Sequence, residues 1–263
     1  MKIATWNVNS LKIRLPHVLA WLESARPDVL CLQETKLVDT DFPYTAIESA
    51  GYHAAAYGQR TYNGVAILAR SELCDAMSGI PGFDDPQSRV ISARINGVYV
   101  VSVYVPNGQE AGSDKYRYKL EWLGRLGAWL QGLVAVEPKV VVAGDYNIAP
   151  ESRDVYDPAA WEGKVLCSEP ERAAFQRLLA IGFADAFRLF EQAEHSYTWW
   201  DYRMMAFRRK MGLRIDHLLV STPLVPRCKE CHIDVAPRRL ERPSDHAPVW
   251  LTLADDRPDV AGV

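Results

Sequence analysis

Val140-Val141-Val142-Ala143-Gly144-Asp145-Tyr146-Asn147 is the stretch that decides the fold of this 263-residue chain. Its four leading apolar residues, three of them valines, are typical of a buried β-strand. Asp145 and Asn147 follow two residues apart, so an extended or tightly turning backbone projects both side chains to the same side. Because α/β proteins place their sites at the C-terminal ends of strands, the pair predicts a functional site. A surface turn rich in Asp and Asn is the alternative.

The composition, 48% hydrophobic and 24% charged residues, is that of a soluble globular protein. The first six residues enter a strand pattern directly, without the apolar core of a signal peptide, and no apolar run approaches the ~20 residues that span a bilayer. Cys228 and Cys231 lack the second pair that a zinc site needs. We therefore expect a cytoplasmic protein with reduced thiols and no membrane association.

The net charge of −3 does not indicate a nucleic-acid partner, so local clustering of charge matters more. Two segments are basic: the first contains Arg203, Arg208, Arg209, Lys210 and Arg214, and the second contains Arg238, Arg239 and Arg242. Either group could contact phosphates, and a solvated basic loop is the alternative for each.

Hydrophobic patterning predicts helices and strands along the whole chain. The predicted helices span 15–25, 44–50, 116–134 and 169–181, and the predicted strands span 2–8, 29–32, 52–57, 64–69, 90–95, 98–105, 140–144, 214–221 and 249–253. Asn96-Gly97 predicts a tight hairpin between two of these strands. No linker or repeat divides the chain, so we expect one α/β domain over 1–254 with mixed sheets, followed by a loose tail at 255–263.

Polar side chains occur at six predicted strand ends: Asn7, Glu34, Tyr104, Asp145 with Asn147, Asp216, and Asp245 with His246. Carboxylates and amides without a Cys or His cluster suit a hard divalent cation such as Mg²⁺. An Asp paired with a His orients the imidazole and supports its charged form, which can bind a phosphate oxygen. Each residue alone is more often a surface or capping group, and only the combination is specific.

The chain resembles the exonuclease III family of apurinic/apyrimidinic (AP) endonucleases, within the endonuclease/exonuclease/phosphatase superfamily. The matching segments cover about residues 1–253 and are Lys2-Ile-Ala-Thr-Trp-Asn-Val-Asn-Ser, Leu32-Gln-Glu-Thr-Lys, Tyr104-Val-Pro-Asn-Gly, Gly144-Asp-Tyr-Asn-Ile, Tyr197-Thr-Trp-Trp-Asp-Tyr-Arg, Gly212-Leu-Arg-Ile-Asp and Ser244-Asp-His-Ala-Pro-Val. The resemblance implies a DNase I-like, four-layer α/β sandwich, in which two mixed β-sheets pack face to face with helices outside.

The resemblance also implies a metal site. Glu34 is then the principal ligand of Mg²⁺, Asn7 lies beside it, and Asp245 is a further ligand. Mn²⁺ is the alternative ion, and the number of ions is left open.

The same resemblance implies the catalytic roles. Asp145 aligns or deprotonates the attacking water, and Asn147 fixes Asp145 and a phosphate oxygen. His246 and Asp216 polarise the phosphate, and Tyr104 binds the scissile phosphate or assists the leaving group. The general base is left open between Asp145, Tyr104 and a metal-bound hydroxide.

Substrate contacts follow from the resemblance as well. Asn107 contacts the phosphate, while Trp199, Leu213 and Ile215 line an apolar slot for a flipped-out sugar that lacks a base. Arg203 lies on a loop expected at the DNA groove, and this loop varies within the family. The balance between endonuclease and exonuclease activity is therefore left open.

The implied function is DNA repair: hydrolysis of the phosphodiester 5′ to an abasic site in double-stranded DNA, leaving a 3′-hydroxyl and a 5′-deoxyribose phosphate. The same site would remove 3′-terminal nucleotides and clear blocked 3′ ends such as 3′-phosphates. We expect a monomer, because DNA must enter an open face. One alternative is a superfamily phosphoesterase with another substrate, and a second is a non-catalytic regulator of the same fold. Glu34, Asp145, Asn147 and His246 are all intact, which argues against the regulator.

Overall fold

Two six-stranded β-sheets pack face to face with helices on their outer surfaces. The computed structural model describes residues 1–254, and the predicted tail at 255–263 lies outside the described residues. In chain order the elements are β1 (Lys2–Asn7), α1 (Leu11–Ala25), β2 (Val29–Gln33), α2 (Tyr44–Ser49), β3 (His53–Tyr57), β4 (Val65–Ala69), β5 (Cys74–Ser78), β6 (Val90–Ile95), β7 (Val98–Tyr104), α3 (Asp114–Val136), β8 (Val140–Asp145), α4 (Pro158–Trp161), α5 (Glu169–Ala180), β9 (Phe183–Asp185), β10 (Asp216–Ser221), β11 (Cys228–Ile233) and β12 (Val249–Leu253).

Both sheets are mixed and share one pattern. The first has the strand order β11-β12-β1-β2-β4-β3, and the second has the order β5-β6-β7-β8-β10-β9. The central pair of each sheet, β1 with β2 and β7 with β8, is parallel. The outer pairs are antiparallel. The predicted four-layer α/β sandwich is therefore confirmed.

Strand β8 shows why the sequence predicts these layers. Val141 and Ala143 face the core between the two sheets, whereas Val140 and Val142 pack against α3 and α5 on the outside. A strand that is buried on both faces needs a continuous apolar run rather than alternation. The other sheet is covered in the same way by α1 and α2, where the Trp6 and Trp21 rings pack edge to face at 6.1 Å.

The hairpin prediction is confirmed by the pairing of Ile95 with Val98 across the turn. Asn96 and Gly97 both have positive φ, at 49° and 76°, as a two-residue turn of this hand requires.

Helix α1 begins at Leu11 rather than at residue 15, so Pro16 lies inside the helix. The reason is tertiary: the backbone N–H groups of Ser10 and Leu11 donate to the carbonyls of Glu34 and Thr35 at 2.8 and 3.0 Å. These contacts with the neighbouring chain satisfy the donors at the start of the helix, which sequence patterning does not reveal.

Strands β5, β9 and β11 are not predicted from the sequence. The first and last are sheet edges with many exposed residues, and β9 contains only three residues. Strand β10 begins at Asp216 rather than at residue 214. Among residues 1–254, no helix is both long and apolar enough to cross a membrane.

Candidate active site

The strand topology brings the predicted site residues to one edge of the sandwich. Strand β7 ends at Tyr104 and β8 ends at Asp145, while the antiparallel β10 begins at Asp216. Tyr104 and Asp216 are both in register with Asp145, so the three residues form a row across the second sheet. Asn7 ends β1, and Glu34 directly follows β2 in the facing sheet. The two sheets therefore contribute residues to the same edge.

Glu34, Asp145 and His246 form the centre of this edge. One ligand atom from each residue lies within 4.8 Å of the other two. The Asn7 amide nitrogen bridges the carboxylates, donating to Glu34 Oε1 at 2.8 Å and to Asp145 Oδ2 at 2.9 Å. Lys36 Nζ pairs with Glu34 Oε2 at 2.9 Å. Carboxylates from two sheets thus converge at a point where a hard cation would find oxygen ligands.

Asn7 and Asp245 contact the centre differently from Glu34. The Asn7 amide oxygen accepts the backbone N–H of Asn9 at 2.9 Å, so the amide presents its nitrogen to the carboxylates. Asp245 is not part of the three-residue centre; its two oxygens accept from Asn9 Nδ2 and Trp199 Nε1, each at 3.0 Å. In this arrangement Asn7 orients the carboxylates, and Asp245 connects the centre to Trp199.

Asn147 fixes the position of the Asp145 carboxylate. The Asn147 backbone N–H donates to Asp145 Oδ1 at 2.8 Å, and its side-chain amide donates to the Val105 carbonyl at 3.0 Å. Asn107 Nδ2 donates to Asn147 Oδ1 at 3.0 Å. Asn147 adopts φ 49°, a left-handed conformation that Asn tolerates better than most residues. Asp145, Asn147 and Asn107 therefore form one connected group.

His246 and Asp216 form a buried pair, with His246 Nδ1 2.8 Å from Asp216 Oδ2. Burial alone would lower the pKa of His246, but the Asp216 and Asp145 carboxylates outweigh it and raise that pKa to about 10. The other ring nitrogen lies 3.8 Å from Asp145 Oδ2. The imidazole is therefore positively charged at neutral pH and faces the centre.

Burial raises the pKa of the Asp145 carboxyl to about 7; the nearby Asp216 carboxylate adds to the shift, and His246 opposes it. The pKa of Tyr104 is raised well above its ordinary value by burial and by the carboxylates of Glu34 and Asp145. Its ring lies under the Arg89 guanidinium, 4.7 Å from the ring centroid. Tyr104 consequently keeps its proton and can donate a hydrogen bond.

Trp199, Leu213 and Ile215, which the resemblance assigns to a substrate slot, lie together in one apolar cluster. Trp199 and Leu213 exchange two backbone hydrogen bonds of 2.9 and 3.0 Å. Leu213 and Ile215 are 0% and 1% exposed, while Trp199 is half-buried. Among these three residues Trp199 therefore carries the accessible surface, and the two aliphatic side chains are buried.

The loop after Trp199 is exposed. Arg203 pairs with Asp201 at 2.6 Å, and its side chain is 85% exposed. Met204 and Met205 are 68% and 63% exposed and have positive φ. A cavity of about 290 Å³ lies between this loop and Trp199. The predicted substrate contacts Arg203 and Trp199 therefore line one concave surface.

Two members of the predicted basic groups are structural. Arg214 is buried, donating to Asp154 at 2.6 Å and to Asp185 at 2.7 Å. Arg238 is buried and donates to the Ser244 carbonyl. Neither guanidinium is available to a phosphate, so the basic groups are smaller than the sequence indicates.

The sequence analysis missed Lys119, which is fully buried on α3 and donates to the Asn147 carbonyl at 2.7 Å. The signal was present in the pattern, because Lys119 occupies the apolar face of the helix between Tyr116 and Leu123. A charge on an apolar face points to a buried partner.

Comparison with known proteins places this site in a family. Residues 4–246 match the endonuclease/exonuclease/phosphatase family. The chain is 37% identical to exodeoxyribonuclease III of Haemophilus influenzae, over 95% of this chain and 98% of that protein. It is 46% identical to the 3′ phosphatase NExo from Neisseria, solved with a product DNA hairpin, with a TM-score of 0.95 over 97% of this chain and 100% of that one.

An AP endonuclease from Archaeoglobus fulgidus is 40% identical, with a TM-score of 0.92 over 96% of this chain and 99% of that one. The names of these relatives match the predicted activities. The chain belongs to the endonuclease/exonuclease/phosphatase family, and within it to the exonuclease III group.

Proposed function

We propose that this protein is a DNA-repair hydrolase that cleaves the phosphodiester 5′ to an abasic site in double-stranded DNA. The observation that carries the proposal is the convergence of Glu34, Asp145 and His246 within 4.8 Å. This centre lies beside a concave surface that presents Trp199. Family membership supports a phosphoester as the bond that is cleaved.

The residues fit a hard divalent cation, and we propose Mg²⁺, with Mn²⁺ as the alternative. Its ligand would be the Glu34 carboxylate, supported by Asp145, while Asp216 holds His246 through Nδ1. Once bound, the cation would neutralise charge that develops on the phosphate oxygens. Asn7 holds both carboxylates in place through its amide nitrogen.

His246, Tyr104 and Asp145 supply the protein's own chemistry. The charged imidazole, oriented at Nδ1 by Asp216, can donate from its other nitrogen to a non-bridging phosphate oxygen. Tyr104 can donate its hydroxyl proton to the same phosphate or to the leaving oxygen. The Asp145 carboxylate, fixed by Asn147, can accept the proton of the attacking water in line with phosphorus.

A second activity, removal of phosphates and nucleotides from blocked 3′ ends, is part of the proposal. It is supported by the 46% identity to a 3′ phosphatase that was solved with product DNA. A terminal phosphate, like a phosphodiester, presents non-bridging oxygens and an ester oxygen, so the same residues would act on it. We infer that a monomer performs both reactions in the cytoplasm.

The test is cleavage of a duplex with a single internal abasic-site analogue, labelled at one end, with Mg²⁺ and with EDTA. We expect one metal-dependent cut immediately 5′ to the lesion. A series of strands shortened stepwise from the 3′ end would measure the accompanying exonuclease activity. Equal cutting of an undamaged duplex would favour another phosphoesterase, and failure to cut in either condition would favour the non-catalytic regulator.

A further inference from the structure

A buried ion pair lies beside Asn107 and Asn147, the two asparagines that the resemblance assigns to the phosphate. Lys119 projects from the apolar face of α3, and Glu171 lies in the first turn of α5. Both side chains are 0% exposed, and Lys119 Nζ pairs with a Glu171 carboxylate oxygen. The mechanism proposed above does not use either residue.

All three donors of the Lys119 ammonium are engaged. Besides Glu171, it donates to the backbone carbonyl of Asn147 at 2.7 Å and to that of Asn107 at 3.1 Å. An ammonium has three N–H groups and no acceptor, so this geometry saturates it. One buried cation thus joins the loop after β7 to the turn after β8.

Glu171 extends the same connection to the apolar cluster. Its Oε1 accepts the backbone N–H of Leu166 at 3.0 Å, and its Oε2 accepts that of Ser168 at 3.1 Å. Leu166 packs in the cluster with Leu213 and Ile215. The ion pair therefore connects Asn107 and Asn147 to the apolar residues that pack with Trp199.

The attraction within the ion pair does not by itself explain a lysine at this place. Apolar residues of similar volume often stabilise a fold as well as a buried ion pair does. An apolar residue at position 119, however, would leave the carbonyls of Asn107 and Asn147 without their donor. Asn147 is in a left-handed conformation, which persists only when its surroundings fix it.

We propose that Lys119 is a positioning residue, which fixes Asn107 and Asn147 relative to each other and to Asp145 so that a phosphate is held in line for attack. This inference rests on the proposed function. It assigns Lys119 no contact with substrate; it acts through the two backbone carbonyls.

The experiment compares three variants of the full-length protein by thermal melting and by steady-state cleavage of the abasic duplex. E171Q weakens the ion pair but keeps Lys119 and its two carbonyl contacts. K119M/E171Q removes those contacts without leaving an unpaired buried carboxylate. Y116F is the matched control, because it removes the 2.6 Å contact between the Tyr116 hydroxyl and Ser168 Oγ between the same helices and leaves the asparagines untouched.

We expect all three variants to melt at lower temperature than the wild type. Only K119M/E171Q should lose kcat, by ~10-fold to ~100-fold with a nearly unchanged KM, because small displacements of positioning groups have effects of this size. If E171Q and Y116F lose kcat along with melting temperature, or if K119M/E171Q keeps the wild-type kcat, Lys119 is merely structural and the inference is wrong.

A second readout separates this inference from the proposed function. The side-chain amide resonances of Asn107 and Asn147 should shift or broaden in K119M/E171Q and stay in place in Y116F. If the wild type does not cut the abasic duplex, the proposed function fails, and the amide spectra still decide whether Lys119 fixes the asparagines. Unchanged amide resonances in K119M/E171Q would overturn the inference.

Discussion

His246 Nδ1 lies 2.8 Å from Asp216 Oδ2 in the interior of the site. Asp216 is also in register with Asp145, the residue whose carboxylate faces the opposite side of the imidazole. The ring is therefore held between two carboxylates, one on each of two neighbouring strands. This arrangement determines both its orientation and its charge.

Asp216→Asn should lower kcat for abasic-duplex cleavage by about 100-fold or more, the scale on which a positioned proton donor contributes. The substitution replaces a carboxylate by a neutral amide, so the negative charge that keeps His246 protonated is lost. The amide also no longer selects one orientation of the imidazole ring. Pre-steady-state cleavage at saturating DNA measures the effect. Loss of affinity for DNA with unchanged kcat would contradict this role.

Asn7→Ala should raise the Mg²⁺ concentration for half-maximal cleavage by ~10-fold to ~100-fold, as expected when a group that orients metal ligands is removed. Asn7→Asp provides the sharper comparison. Because Asn7 presents its nitrogen to Glu34 and Asp145, a third carboxylate there would repel both. If Asn7→Asp cleaves DNA at the wild-type rate at saturating Mg²⁺, the amide nitrogen of Asn7 is not what orients the two carboxylates.

The central strands could be predicted because burial on both faces leaves a continuous apolar run, as in β8, and the polar residues that end such runs then stand out. Edge strands such as β5 lack that signal, because many of their side chains face solvent. The tail at 255–263 lies outside the described residues and stays a prediction.

The partners of buried charged residues also could not be predicted from the sequence. Lys119 and Glu171 are 52 positions apart, and Arg214 is 60 positions from Asp154. A single sequence shows a lysine or an arginine but not the distant carboxylate that neutralises it. The sequence therefore places Arg214 in a basic segment, and the partners of Arg214 and Lys119 are visible only in the structure.

Arg203→Gln should weaken DNA binding and reduce the slope of log affinity against log salt by about 1, because one exposed phosphate contact is removed. Arg125→Gln is the control, since Arg125 is also exposed and also pairs with a nearby carboxylate, Glu121, but lies on the outer helix α3. Fluorescence anisotropy of a labelled duplex over a salt series gives both slopes. Equal slopes for the two variants would place Arg203 away from the DNA.

Trp199 combines an accessible ring with a hydrogen bond to Asp245, and two substitutions separate these features. Trp199→Ala should lower kcat/KM for the abasic duplex by ~10-fold or more, because the apolar contact is lost. It should also lower the ratio of the rate of abasic-site cleavage to the rate of digestion of an intact 3′ end. Trp199→Phe should keep most of that preference. If both variants keep the wild-type ratio of the two rates, the ring does not select the substrate.

The buried network around Arg214 makes a prediction about stability rather than catalysis. His217 Nδ1 lies 2.9 Å from Arg214 Nη1, and His217 Nε2 lies 2.9 Å from the Ile148 carbonyl. Since a guanidinium only donates and a carbonyl only accepts, these contacts require a neutral imidazole with its proton on Nε2. Burial, reinforced by the charge of Arg214, lowers the pKa of His217 from 6.5 to about 4.

Stability should therefore be lost as the pH falls below 6.5. Between pH 6.5 and 4 the unfolded chain binds a proton at His217 that the folded chain does not, so the unfolding free energy decreases by up to about 3 kcal/mol. His217→Gln can still accept from Arg214 and donate to Ile148, but it does not titrate. Urea unfolding of both proteins at pH 7.5 and 4.5 should show a smaller loss for the variant. An equal loss in both would mean that His217 is protonated in the folded protein.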